Sequence, residues 1–488
     1  MFKKITQVIV LCIAVGSLNS CNFDEFQDDP NRTVDATPGL LLTNLIVNSF
    51  NILDVTPMLT SRMLVYTDGL DLNQYYGWNR SDFGAYNQLR QVVKMIEEAE
   101  ESDLPNYIAL AKFFRAYHYY NLTMTFGEVP YSEALGGFNN NYQPAYDKQE
   151  DIFAGILQDL EDANQEINVN GPALLGDVLF DGNLIKWKQA INSFRLRVLM
   201  TLSEKVGNTD IDVVSQFQLV AGNPGTYPVM QSNADDLALR YYDIAGNRYP
   251  YFENQNLTAA YIMEQTFVNF MKDNQDPRLF SIGSITAVAE SQGLDPSDYE
   301  AYGGLDGSVT FDELNQQRAA GIGSLVNSRY YTDPIGEPGV VMGYAELQFI
   351  FAEAAARGWI SNNAEEFYNA GVLASMDFYN VDSGDANTYL SSSFAAYDPS
   401  NALEQINTQK YLTYFFSGGW ESYYNQRRTG YPTFSTGEGT LNGDLIPVRW
   451  LYPEQESNLN LQNLEESLQR QFGGEDSING LMWLLNLN

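Results

Sequence analysis

Four times along this chain an apolar stripe at helical spacing is followed, after a short break, by a second one. Tyr86 to Glu100 carries Leu89, Val92, Val93 and Ile96 on one face, and Asn106 to Phe126 carries Ile108, Ala111, Phe114, Tyr117 and Leu122. Gln149 to Ile167 and Asn183 to Val206 repeat the arrangement. Tyr344 to Arg357 with Ala364 to Tyr379, and Ala402 to Phe416 with Trp420 to Arg427, repeat it again. Apolar residues three and four apart form one face of a helix, and such a face must be buried on a neighbour. Small residues such as Ala354, Ala355, Ala356, Gly371 and Ala374 let paired helices approach closely. The pattern predicts a mostly α protein in which tetratricopeptide-type helical hairpins stack as a scaffold, at an irregular period. Thr37 followed by Pro38 predicts the start of an earlier helix, with threonine at the N-cap and proline in the first turn.

The scaffold is interrupted. From Gly207 to Pro338 the chain is crowded with Gly, Pro, Asn, Asp and Tyr, and one helix is predicted there, Ala259 to Asp273. The predicted organisation is one domain over 37–488. Hairpins lie mainly in 86–206 and 344–427, and a loop-rich, irregular part with short strands lies mainly in 207–338 and 430–488. Loops held on a rigid scaffold are where binding surfaces usually sit.

The N-terminus has a different logic. Lys3 and Lys4 precede the apolar run Val8 to Val15, and Gly16 to Ser20 are mostly small. This reads as a secretory signal peptide over 1–20, too short to span a bilayer comfortably. The alternative is a buried N-terminal helix. Leu18-Asn19-Ser20-Cys21 resembles a bacterial lipobox, which predicts lipidation of Cys21 and a tether over 21–36. The chain has two cysteines, Cys12 and Cys21, so no thiol would remain for an intrachain disulfide in an oxidising compartment.

Charge and rarity exclude several function classes. Lys and Arg total 27 against 62 Asp and Glu, a formal net charge of −35, which argues against nucleic acid as a partner. A single histidine, His118, rules out a multi-histidine metal site. It sits among aromatics on a predicted helix, where a packed or hydrogen-bonded role is expected. No motif marks a catalytic residue, a metal site or a cofactor. Asp68, Asp71 and Asn73 alternate like calcium ligands but lack the glycine and the closing glutamate of an EF-hand loop.

Ordered motifs then point to a family. Asp29-Pro30-Asn31 with Ala36-Thr37-Pro38 is similar to the start of the SusD/RagB family of Bacteroidetes outer-membrane lipoproteins. Phe126-Gly127-Glu128-Val129-Pro130-Tyr131-Ser132-Glu133-Ala134 resembles its "YGDVPYSEA" segment. Trp187-Lys188 with Phe194-Arg195-Leu196-Arg197, Asp276-Pro277-Arg278-Leu279, and Tyr344 to Ala355 resemble three further blocks. Ile406 to Tyr411, Arg427 to Pro432, Ile446 to Arg449 and Tyr452 to Glu456 complete the series. The chain thus resembles the SusD-like type 2 branch over nearly all its mature length. The C-terminus, Trp483-Leu484-Leu485-Asn486, departs from the family's usual ending. Asp24-Glu25 resembles the acidic signal that sends such lipoproteins to the cell surface.

The resemblance implies a SusD-like fold and a surface receptor without enzymatic activity, lipid-anchored in the cell outer membrane. Its partner would be a SusC-like TonB-dependent transporter, to which it would deliver captured oligosaccharide. Peptide cargo on the same architecture is the alternative, and a secreted glycoside hydrolase is a third reading from a different class.

Candidate contacts follow from what sugars need: aromatic faces for C–H surfaces, with amides and charges for hydroxyls. The polar, aromatic stretch Asp68 to Asp82 reads as a loop and offers Asn73, Tyr75, Tyr76, Trp78, Asn79 and Arg80. Tyr249 and Tyr251 come from a second cluster with Tyr241, Tyr242, Arg248 and Phe252, and Arg329, Tyr330 and Tyr331 form a third. The competing reading is that these rings only pin loops to the helices. Arg195, Arg197, Arg427 and Arg428 are expected to pair with carboxylates such as Glu353 or Glu421.

Overall fold

The computed structural model describes residues 36–487. The predicted signal peptide, most of the tether and Cys21 lie outside the described residues. Ten helices of ten residues or more carry the architecture: α1 (Pro38–Phe50), α2 (Ala85–Glu101), α3 (Pro105–Phe126), α4 (Gln149–Glu166), α5 (Leu184–Thr201), α6 (Val213–Gly222), α7 (Tyr344–Ala356), α8 (Ala364–Phe378), α9 (Ala402–Leu412) and α10 (Leu461–Phe472). Their starts are chemically marked. The Thr37 side chain accepts from the N–H of Leu40, Asn183 accepts from Ile185 and Lys186, and Asp212 accepts from Ser215. Each satisfies an N–H that has no partner within its helix.

Packing follows the predicted pairing. α2 packs on α3, α3 on α4, and α4 on α5, while α7 packs on both α8 and α9. α1 lies against α2 and α3, and its Phe50 ring stacks on Phe114 at 5.4 Å between centroids. Gly371 shows why small residues matter: a Cβ there would stand 2.8 Å from the Phe349 ring across the α7–α8 contact. Four short strands, β1 (Leu64–Tyr66), β2 (Leu237–Leu239), β3 (Tyr261–Met263) and β4 (Gly339–Met342), form two antiparallel pairs, β1–β3 and β2–β4. Among the described residues no helix is long and apolar enough to cross a membrane.

The loop-rich part holds more helix than its sequence predicts. Besides Gln265–Asp273 it contains α6 and the short helices Arg278–Ile282, Ala287–Gln292 and Phe311–Ala319. Segments of five to ten residues show too few turns for a period to register, and side-chain caps from Thr286 and Thr310 start two of them. The predicted helix from Ala259 begins instead as β3, and α10 lies in a C-terminal stretch expected to be loop.

Buried ion pairs join the two hairpin blocks. Arg197 of α5 forms two parallel bonds to Glu346 of α7, at 2.7 and 2.6 Å, with Glu421 at 3.8 Å. Arg428 pairs with Glu353 at 2.5 Å, as expected of it. Burial works to raise the Glu353 carboxyl, but Arg428, Arg357 and Lys410 outweigh it and hold the group at about 2. Arg195 pairs with Glu161 instead, and Arg427 donates to the carbonyl of Val448. His118 is buried with Nε2 2.9 Å from the Ser49 hydroxyl, and burial drives its pKa down to about 3.

Asp236 gives a test of this interior. Its carboxylate accepts the N–H of Tyr344 at 2.7 Å and so caps α7, whose own N-cap is Gly343. Burial pushes it up to about 7. A carboxyl raised on folding favours the fold when protonated, so its contribution is present below about pH 4 and is lost as pH rises to about 7. Asp236→Asn is therefore expected to stabilise the protein at pH 8, on the order of 2 kcal/mol, with the gain vanishing near pH 4. His118 acts in the opposite sense between about pH 6.5 and 3 and cancels in the difference between variant and wild type. Thermal unfolding of both proteins against pH checks this. A difference that does not change with pH would contradict it.

Candidate ligand-binding site

The expected aromatic surface is largely interior. Trp78 is 5% exposed, its indole donates to the carbonyl of Arg449 at 3.1 Å, and its ring stacks on Trp450 at 4.6 Å. Tyr76 is fully buried beneath the Arg62 guanidinium, its hydroxyl donating to the carbonyl of Thr60. Tyr75 is buried beside it. Tyr249 and Tyr251 are buried too, edge-to-face with each other, and Tyr251 meets Phe416 in the same way at 5.3 Å. Tyr330 stacks on Phe416. As placed, Tyr75, Tyr76, Trp78, Tyr249 and Tyr251 offer no ring face to a ligand; they pin loops to the scaffold. The reason is local. Asp71 accepts the N–H groups of Asn73 and Gln74, which folds the loop inward, and the core supplies ring partners for Tyr76 and Trp78. Of the same set Asn79 and Arg80 are exposed and Asn73 partly so, and Arg80 is tied to the carbonyl of Tyr452 and to Asp476.

The partly exposed aromatics lie elsewhere. Trp420 caps the Trp78–Trp450 stack from outside, with its ring 4.8 Å from Trp450 and 6.2 Å from Trp78. It follows Gly418 and Gly419, both at positive φ (+69° and +56°). A Cβ on Gly418 would stand 2.3 Å from the Tyr414 ring, so only glycine turns the chain here and presents the indole. Trp420 walls a cleft of about 230 Å³ together with Asn51, Asp54, Tyr117, Asn121 and Glu421. Arg197 also lines it, and burial pushes the Glu421 carboxyl upward against the pull of Arg197. An indole wall, two amides, a phenol and charged groups in one monosaccharide-sized cleft provide both kinds of contact that a sugar ring uses.

A tyrosine pair belongs to the same neighbourhood. Tyr66 and Tyr261 sit opposite each other on β1 and β3, both partly exposed, with ring centroids 5.1 Å apart. Arg318 fixes one side by pairing with Asp68 at 2.5 Å and donating to the carbonyls of Thr67 and Ala259. Asp54, which lines the cleft, acts on this pair only through its charge. It accepts from the N–H and hydroxyl of Thr56. Burial first, then Tyr66, Asp71 and Asp54, raises the Tyr261 phenol. Trp420, Tyr66 and Tyr261 are absent from the contacts expected of the sequence. Gly418-Gly419-Trp420 is a readable signal, because a double glycine before a tryptophan marks a tight turn that displays a ring. Tyr66 and Tyr261 carry no such mark, since only strand pairing brings them together.

Comparison with known proteins accords with this architecture. A family model described as SusD-like, "starch-binding associating with outer membrane", matches residues 30–453. A SusD homologue from Bacteroides fragilis is 41% identical, with a TM-score of 0.86, covering 93% of this chain and 100% of its own. A second from the same species is 32% identical, with a TM-score of 0.86 and coverage of 92% and 100%. A chitin-binding protein is 25% identical, with a TM-score of 0.75 and coverage of 92% and 100%. The search of curated proteins returned no match. With a family model spanning most of its length and a close structural match over nearly all of it, the chain belongs to the SusD-like family of outer-membrane-associated proteins.

Proposed function

We propose that this protein is a non-catalytic surface receptor that captures oligosaccharide at the Trp420 cleft and delivers it to a SusC-like TonB-dependent transporter. In this reading residues 1–20 are removed as a signal peptide and Cys21 carries the lipid. A lipid tether concentrates the receptor at the membrane, so cargo held weakly at one site can be engaged again by a neighbouring one. The observation that carries the binding role is the partly exposed Trp420 over a cleft lined by amides and a phenol. The family description and the chitin-binding relative make neutral glucose and N-acetylglucosamine oligomers the first ligands to try.

Trp420→Ala is expected to weaken glycan binding roughly tenfold or more, about 1.4 kcal/mol or above, while leaving the protein folded. Its ring sits at the outer edge of the aromatic cluster. Calorimetric titration of residues 22–488 with a glycan that binds the wild type checks this. Unchanged affinity in a folded Trp420→Ala protein would remove the cleft from the proposal.

A further inference from the structure

A second cleft, of about 450 Å³, opens between the start of α4, the turn after α5 and the C-terminal segment, and it shares no lining residue with the Trp420 cleft. Lys148, Lys205 and Arg470 line it, in a chain with 62 acidic residues to 27 basic. Its two carboxylates are already engaged. Glu128 accepts from Arg470 and from the Ser467 hydroxyl, and Glu150 accepts from the Thr209 hydroxyl and the N–H of Asp210. Hydrogen bonds do not cancel the charge of Glu150, but Lys148, Lys205 and Arg470 against Glu128 and Glu150 still leave the lining with one positive charge in excess.

Lys205 is only 3% exposed. Its ammonium donates to the carbonyl of Asn486 at 2.8 Å and lies 4.7 Å from the centre of the Trp483 ring. An ammonium has three N–H groups to place, and one carbonyl and one indole face leave it able to donate to a ligand oxygen. Burial lowers its pKa, against the pull of Glu150. Trp483 is partly exposed in the same wall. An indole that shares its cleft with two ammonium groups suits a ring that is apolar on its C–H face and anionic at one substituent.

We propose that this cleft is a second carbohydrate subsite, selective for a sugar unit that carries a carboxylate, a hexuronate. It goes beyond the capture of neutral glycan at Trp420 and does not depend on it.

The test is titration of residues 22–488 with a galacturonic acid oligomer, the matching neutral galactose oligomer, and citrate as a carboxylate without a sugar ring. Calorimetry and tryptophan fluorescence supply the readouts. The acidic oligomer is expected to bind at least about tenfold more tightly than either control, and less tightly as salt is added. Lys148→Ala and Lys205→Met should each weaken it about tenfold, and Trp420→Ala should leave it unchanged. Lys148 is exposed, so its replacement keeps the test valid even where Lys205→Met disturbs folding. No uronate binding, uronate binding indifferent to Lys148→Ala, or equal affinity for citrate or the neutral oligomer would each overturn the proposal. Loss of uronate binding in Trp420→Ala alone would place the acidic sugar in the other cleft and overturn it as well.

Discussion

Trp78→Ala is expected to destabilise the protein by roughly 3–5 kcal/mol before any ligand is added. The indole lies inside a cluster with Trp450, Tyr423, Tyr76 and Trp420. Alanine would leave a cavity that Tyr423 and Tyr76 cannot fill by small shifts, because both are held by other partners. The Tyr423 hydroxyl donates to the carbonyl of Pro447, and that of Tyr76 donates to Thr60. The substitution would also strand the Arg449 carbonyl that accepts from the indole. Denaturant unfolding of the variant and wild type measures the cost. Any loss of glycan affinity should then track loss of folded protein, unlike the clean binding defect expected of Trp420→Ala. A Trp78→Ala protein of wild-type stability that binds no glycan would show that Trp78 contacts ligand directly, after the loop opens.

The second large effect concerns Arg278, which lies in the Asp276-Pro277-Arg278-Leu279 segment and is fully buried. Its guanidinium donates to both oxygens of Asp276, to the Ser375 hydroxyl on α8 and to the Gln409 amide oxygen on α9. It therefore fastens the irregular part to two scaffold helices. Arg278→Met would leave the Asp276 carboxylate buried without its counter-ion. Breaking one side of a buried pair typically costs about 3–5 kcal/mol, and a loss of that order is expected in denaturant unfolding. Asp276→Asn combined with Arg278→Met should recover part of it, since the unpaired charge is then gone. A single Arg278→Met variant within experimental error of wild type would show that the pair carries no such role.

These cases mark what could be read in the sequence. The hairpins were legible because each helix writes its burial into its own 3.6-residue spacing, as α2 does with Leu89 and Val92. The short helices of the loop-rich part were not, being capped and packed rather than periodic. The aromatic density of Asp68 to Asp82 was plain, but the side of the protein its rings face was not. Trp78 is buried by Trp450 and Arg449, from the far end of the chain, while Trp420, chemically the same residue, is turned outward by two glycines. The burial of Trp78 is decided by distant chain that no pattern around it records, whereas the double glycine before Trp420 is a local mark of its display. The arginines show the same limit: Arg428 found Glu353 and Arg197 came within 3.8 Å of Glu421 as expected, but the two-bond partner of Arg197, Glu346, was not named, since only the tertiary fold brings α7 to α5.

The most direct test is calorimetric titration of residues 22–488, as wild type and as Trp420→Ala, with neutral glycan oligomers and a peptide digest, while the same tubes are assayed for released product. The expected result is saturable binding of one glycan class by the wild type, weakened about tenfold or more in Trp420→Ala, with no product formed. Binding of peptide alone would contradict glycan as the cargo. Product release abolished by Glu421→Gln would contradict the receptor reading and make the cleft a hydrolase site.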